Sequence, residues 1–196
     1  MTRIQPLARD EVPELEPVFS ALERAIGFVP NSLLTMAAWP ELVQAFSGLA
    51  GLVLAPRCVP TPLKQLVALV ASRAAGCRYC QAHTSHAAHR GGTPAEKIAA
   101  AFEFETSPLF DAAERAALRL ARDASLAPSA ADASHFEALR EHFDDAAILE
   151  LVATIALFGW LNRWNDALAT TLEADPLAFA SARLAPKGWS AGPHAP

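Results

Sequence analysis

Apolar residues recur every three or four positions along most of this chain. No stretch alternates apolar and polar with the period of two that a half-buried strand requires. Val12, Leu15, Val18, Phe19, Leu22 and Ile26 mark one helix over Val12–Ile26. GFVPNS breaks it, and Asn31 or Ser32 is placed to cap a short helix running through Ala38. Trp39–Pro40 opens ELVQAFSGLAGLVL, which the proline-rich APRCVPTP closes. Pro62–Ala75 is the next helix, with Pro tolerated at its first position and Gly76 as its stop. A helix closed by Gly91–Gly92 follows, and Thr93 is placed to cap PAEKIAAAF. Further helices are expected over Asp111–Ala124, Ala130–His142 and Asp144–Leu168, with a short one near Pro176–Arg183.

The pattern changes character in ILELVATIALFGWLNRWNDAL, whose first half is apolar almost all round. Such a helix is buried in a core or against a partner subunit. Its second half sets Asn162, Arg163, Asn165 and Asp166 beside two tryptophans, where polar groups must find partners. They form either an interhelical or intersubunit network or part of a reactive site. With no internal repeat, the pattern predicts one all-α domain over residues 1–184 and an extended C-terminal tail, APKGWSAGPHAP, over 185–196.

At 196 residues and 52% hydrophobic content, the chain is long enough to bury a sizeable core. The formal charge of −5, without a run of like charges, argues against a nucleic-acid partner. The N-terminus lacks the apolar core of a signal peptide, and Leu66–Ala71 and Leu151–Leu161 fall short of the roughly 18–20 residues that span a bilayer. The expectation is a cytoplasmic protein with no membrane association, in a compartment that keeps thiols reduced. There a CxxC pair reads first as metal-binding or redox-active. Cys58, between prolines in a loop, has no thiolate-favouring setting and reads as a bystander.

The chemistry concentrates in GCRYCQAHTSHAAHRGG, where two cysteines and three histidines fall within thirteen positions. Cys77, Cys80, His83 and His86 follow at steps of three. On a continuous helix each step rises about 4.5 Å, so the outer two stand roughly 13 Å apart and one ion cannot bind all four. A site made from two of them and residues elsewhere stays open, and no metal is assigned. The redox geometry fits better. Cys77 follows the stop at Gly76 and Cys80 lies in the first helical turn, facing free amide N–H groups and the positive end of the helix dipole. Both favour thiolate. Cys80, His83, Thr84 and Ala87 share one helical face, which makes His83 the nearest local group to exchange a proton with Cys80. His86 and His89 read as a solvated or subunit-facing stripe. Tyr79, the only tyrosine, either donates a hydrogen bond to a thiolate or covers the site.

QLVALVASRAAGCRYCQAHTSHAAHRGG resembles the signature region of alkylhydroperoxidase AhpD-like proteins, within the carboxymuconolactone decarboxylase superfamily. GFVPNSLLTMAAWPEL and FGWLNRWNDAL resemble segments of its peroxidase-related branch. The resemblance implies an all-α, AhpD-like helical bundle that forms homo-oligomers. It also implies peroxidase activity in which Cys80 attacks the peroxide and Cys77 resolves the product to a disulfide, with no cofactor. A thiol or lipoyl-type electron donor then reduces the disulfide. Two positions depart from the family pattern: Gln65 stands where it has a glutamate, and Thr84 where it has a histidine. His83 is the substitute for the missing histidine, and Glu150 is the acid best placed to stand in for the glutamate.

The leading expectation is a thiol-dependent peroxidase acting on hydrogen peroxide or small organic hydroperoxides. The alternatives are a general thiol–disulfide oxidoreductase or redox sensor, a carboxymuconolactone decarboxylase-like enzyme, and a non-catalytic metal-binding helical oligomer.

Overall fold

The computed structural model describes residues 2–196 and contains ten α-helices, short 3-10 turns and, among the described residues, no strand. The helices are α1 (Glu16–Ile26), α2 (Asn31–Met36), α3 (Pro40–Leu54), α4 (Thr61–Ala75), α5 (Arg78–Arg90), α6 (Ala95–Ala99), α7 (Ala112–Ala124), α8 (Ala133–Arg140), α9 (Asp145–Leu168) and α10 (Ala174–Arg183). This is the all-helical architecture the apolar spacing predicts.

α4 is the centre of the larger core. Leu66, Val67, Ala68, Leu69, Val70 and Ala71 are all buried, because α5, α7 and α9 each pack against it. Each buried Leu or Val there contributes about 1.5–3 kcal/mol relative to an exposed one. α4 ends at Gly76, whose φ of 86° lies in the left-handed region that a side chain disfavours. That one residue turns the chain so that α5 starts at once and packs back on α4. A second, smaller core joins Val12, Leu15, Phe19, Leu33, Met36 and Val43 of the N-terminal segments, with Trp164 of α9 packed against it.

Several boundaries differ from the sequence expectation. The first helix starts at Glu16, after 3-10 turns at Arg9–Glu11 and Pro13–Leu15, because Pro13 and Pro17 delay the α-helical ladder and Pro17 fits only its first turn. Thr93 does not cap α6, since Pro94 holds the cap position and the Thr93 hydroxyl has no partner. The expected helix over Ala130–His142 is trimmed to α8, with Asp132 accepting the Ser134 N–H at its start.

The tail over 185–196 is a larger correction. It is docked rather than extended, forming 3-10 turns at Ala185–Lys187 and Gly192–His194. Trp189 and His194 are buried, the Trp189 indole N–H donates to the Arg78 carbonyl, and the Leu172 N–H donates to the His194 carbonyl. Its aromatic and polar groups find partners that a proline-rich composition does not reveal.

The helix α9 has 24 residues, and an 18-residue window within it reaches a mean hydropathy of 1.4, so it is long and apolar enough to cross a membrane by length and composition. The sequence estimate stopped its apolar run at Leu161. In the fold α9 is a core helix lying against α3, α4, α5, α7 and α8.

Candidate active site

Cys77 is the N-cap of α5, and its Sγ accepts the Cys80 N–H at 3.4 Å. Both cysteines are buried, at 0% and 2% exposure, while Cys58 is exposed. The two thiols differ in what they face. Cys80 lines a cavity of about 420 Å³ between the two hydrophobic cores, and Cys77 does not. The Asn165 side-chain N–H of α9 donates to the Cys80 Sγ at 3.4 Å, a contact that favours negative charge on that sulfur. The hydrogen bond to Cys80, burial, and the charges of Cys80 and Asp166 all push the Cys77 thiol far above its ordinary range, against a smaller opposing contribution from the Cys80 N–H. Cys77 therefore keeps its proton.

The cavity wall is apolar and aromatic, with Phe28, Leu33, Phe46, Tyr79, Phe158 and Leu161 among its lining residues. His83 and His86 line it too. The His83 ring stacks on Tyr79 with centroids 4.2 Å apart, and its Nε2 lies 2.6 Å from Glu173 Oε2. His83 is thus brought to the cavity as expected, but that nitrogen pairs with a carboxylate rather than with Cys80.

Glu173 was not among the sequence candidates. It sits at the N-cap of α10, where its carboxylate accepts the Asn31 N–H at 2.5 Å and the Tyr79 hydroxyl at 2.8 Å. Burial works against its charge, but His83 and these hydrogen bonds outweigh it and hold the carboxyl below its ordinary value. Tyr79 is held protonated by burial and by the Glu173 charge, so it donates to Glu173 rather than to a thiolate. The one signal for Glu173 in the sequence was an acid three residues before the helix expected near Pro176–Arg183.

The remaining candidates separate. Gln65 lines the cavity, since the turn at Gly76 folds α4 and α5 together. Thr84 also lines it, but its hydroxyl donates to the Cys80 carbonyl at 2.8 Å and so satisfies the helix backbone. Glu150 is a correction. Its carboxylate accepts the N–H groups of Cys58 and Val59 and lies 3.3 Å from the buried Lys64 ammonium. It stands fifteen residues before Asn165 on one helix, about 22 Å away along the axis, so it anchors the loop before α4 and supplies no proton to the thiols. The stripe expected of His86 and His89 divides: His86 packs between Phe28 and Phe179, whereas His89 is exposed and stacks on Phe179 at 4.8 Å. Burial first of all lowers the His86 pKa, which keeps the cavity wall uncharged there.

Of the polar residues on α9, Asn165 and Asp166 reach the thiol pair, and Arg163 donates to the Gly159 carbonyl. The buried Asn162 amide has no hydrogen-bond partner, so the expected network does not include it. Behind Cys77, its Sγ, a carboxylate oxygen of Asp166 and a ring nitrogen of His194 lie within 4.8 Å of one another. The His194 Nε2 is 3.1 Å from Asp166 Oδ1 and its Nδ1 is 2.8 Å from the Thr170 carbonyl. A larger groove of about 840 Å³, bordered by Leu126, Val152, Asn162 and Asp166, contains neither cysteine.

The fold that carries this site occurs in known proteins. The model of the carboxymuconolactone decarboxylase family matches residues 40–123, which span α3 to α7 and both cysteines. Over nearly the whole chain, the fold is shared with the debrominase Bmp8: its apo structure is 44% identical, covers 92% of this chain and 97% of Bmp8, and superposes with a TM-score of 0.86. This chain belongs to the carboxymuconolactone decarboxylase family. A Bmp8 variant with a cysteine replaced by alanine, solved in complex with 2,3,4-tribromopyrrole, gives 43% identity and a TM-score of 0.87 over 93% of this chain and 97% of that one. A family relative in Escherichia coli (strain K12), the uncharacterised protein YnjA, is 37% identical over 113 residues, which span 55% of this chain and 62% of YnjA. An AhpD-core peroxidase-related protein from Ralstonia eutropha JMP134 shares the fold at 21% identity, with a TM-score of 0.81 over 93% of this chain and 97% of that one. The superfamily assignment and the all-helical fold expected from the sequence are therefore borne out.

Proposed function

We propose that this protein is a dithiol-dependent reductase that removes an electrophilic atom from a small apolar substrate, with a halogenated aromatic ring as the leading class. The observation that carries the reading is that Cys80 opens onto an apolar, aromatic-lined cavity while Cys77 stands behind it. A cavity of about 420 Å³ suits a ring that stacks on aromatic walls better than it suits hydrogen peroxide. Similarity to a debrominase over almost the full chain supports the same class.

In this reading the Cys80 thiolate attacks the bromine of a bromo-arene. An S–Br bond forms, the C–Br bond breaks, and the bonding pair stays on the ring carbon. A proton from the His83–Glu173 pair at the cavity wall completes the C–H bond. Cys77 then attacks the Cys80 sulfur, bromide leaves, and the disulfide forms. Ring–Br plus two thiols gives ring–H, one disulfide, bromide and a proton. An external thiol or lipoyl-type donor restores the dithiol.

A small organic hydroperoxide is the second substrate class, supported by the CxxC segment shared with AhpD-like proteins. The atoms run in parallel: ROOH plus two thiols gives ROH, water and the disulfide. Gln65 and Thr84 weigh against it as the main activity, because neither an amide nor a backbone-bonded hydroxyl returns a proton as a carboxylate or imidazole does.

Both are tested by incubating reduced protein with a bromopyrrole or with cumene hydroperoxide and measuring bromide, substrate and remaining thiols. Bromide release with loss of two thiols, abolished in Cys80→Ser, is expected. Consumption of the hydroperoxide alone selects the second class, and inertness toward both overturns the reading.

A further inference from the structure

In either chemistry Cys77 must lose a proton before it attacks Cys80, yet it is fully buried and its surroundings hold the thiol protonated. The cavity cannot take that proton, because Cys77 does not line it. The group that faces Cys77 from the other side comes from the docked tail. We propose that His194, backed by Asp166 and the Thr170 carbonyl, is the base for the resolving cysteine and passes its proton to solvent. This rests on the redox reading of the cysteine pair.

The geometry is that of a nucleophile, a base and an orienting acceptor. Cys77 Sγ, the His194 ring nitrogen and the Asp166 carboxylate lie within 4.8 Å of one another. That is a span closed by a small side-chain shift or one water. The Nδ1–H donates to the Thr170 carbonyl at 2.8 Å, which leaves Nε2 as the basic nitrogen. When Nε2 takes the Cys77 proton, the imidazolium finds Asp166 Oδ1 at 3.1 Å. Both ring N–H groups then have acceptors. His194 itself is 1% exposed, whereas the Asp166 side chain is 41% exposed and borders the larger groove. That arrangement gives the proton an exit separate from the substrate cavity.

The other titratable or charged groups packed around the ring are Tyr79, with centroids 5.9 Å apart, and Arg78, whose guanidinium lies against Gly192 and Ser190. Arg3 donates to the Asp166 and Ala167 carbonyls beside the carboxylate. Neither Tyr79, which is held protonated, nor an arginine is a base. The neighbours Asn165 and Asp166 on α9 thus divide between the thiols, one donating to Cys80 and the other completing the group behind Cys77.

The step balances as follows. With Cys80 carrying X, either bromine or hydroxyl, Cys77–SH gives its proton to His194, the S–S bond forms, and X leaves with the electron pair of the S–X bond. The imidazolium then releases its proton through Asp166.

The test uses the full chain and cumene hydroperoxide as the oxidant, following Cys80 sulfenic acid by trapping and the disulfide by mass, on the millisecond scale and across pH. His194→Gln keeps a donor to Thr170 but no base; Asp166→Asn keeps the shape but no charge. Both are expected to form the Cys80 sulfenic acid at the wild-type rate. Closure to the disulfide should slow by about 100-fold or more in His194→Gln, with a rate that climbs with pH where the wild type has levelled off. Added imidazole should restore part of the closure rate in His194→Gly. Wild-type closure in both His194→Gln and Asp166→Asn overturns the proposal, as does stoichiometric zinc held by Cys77 and His194 in the purified protein. If His194→Gln loses the tail, seen as a shift in Trp189 fluorescence, Asp166→Asn decides. If the hydroperoxide does not oxidise Cys80, a bromopyrrole serves as the oxidant and disulfide closure is read in the same variants; absence of any Cys80 oxidation in the wild type by either one overturns the redox reading itself.

Discussion

Replacing Glu173 by Ala removes one carboxylate that serves three groups. In the structure it pairs with His83 Nε2 at 2.6 Å, accepts the Tyr79 hydroxyl at 2.8 Å and accepts the Asn31 N–H at 2.5 Å. Its side chain is only 13% exposed, so water does not replace these contacts readily. Removing one partner of a buried pair costs about 3–5 kcal/mol, and each orphaned buried donor accounts for about 1–3 kcal/mol of such a loss. We expect Glu173→Ala to lose about 3–5 kcal/mol at pH near 7, and Glu173→Gln, which keeps an acceptor oxygen, to lose about 1–3 kcal/mol. The pH dependence has a definite sign. The folded carboxyl lies below its ordinary value of 4.5, so its stabilisation is full above that value and vanishes as pH falls through the lower, folded one. The gap between wild type and Glu173→Ala should therefore shrink on acidification. Urea unfolding followed by tryptophan fluorescence at fixed protein concentration, near neutral pH and near pH 3.5, measures both quantities. A loss under about 1 kcal/mol at neutral pH, or a gap that widens in acid, refutes the account.

Glu150→Ala should destabilise the fold by about 3–5 kcal/mol, because it strands the buried Lys64 ammonium, while leaving the alkylation rate of Cys80 unchanged; a slowed thiol would return Glu150 to the relay. Gln65→Glu places a carboxylate on the cavity wall, and stopped-flow reaction with cumene hydroperoxide should accelerate by about tenfold or more, with an unchanged rate showing that position 65 exchanges no proton there. Leu149, Val152 and Trp160 present an exposed apolar stripe on α9, and light scattering should give a multiple of 20.8 kDa that Leu149→Asp reduces; a wild-type monomer would contradict the expected homo-oligomer.

The helices and the cysteine pair were legible because their signals are local. The three-to-four spacing, the stop at Gly76 and the CxxC that follows it fix α4, α5 and the cap position of Cys77 within a few residues of sequence. The partners of the site were not legible, because they arrive from far along the chain. Glu173 reaches His83 across ninety positions, and His194 reaches Asp166 across twenty-eight. Neither contact leaves a periodic trace, and a glycine- and proline-rich tail looks unstructured until its Trp189 and His194 are seen to be buried. Glu150 misled for the opposite reason. It lies on the buried helix that touches the thiols, but at the wrong end of it.

The position of the cavity between two separate hydrophobic cores has an evolutionary consequence. One core carries both cysteines, whereas the other, built from the first three helices, supplies Leu22 and Leu33 as an opposing wall. Substitutions in that N-terminal wall can reshape the space above Cys80 without touching the helix that aligns the sulfurs. A family built this way can exchange one cavity lining for another by drift in its first fifty residues, while the half that carries the cysteines is inherited intact.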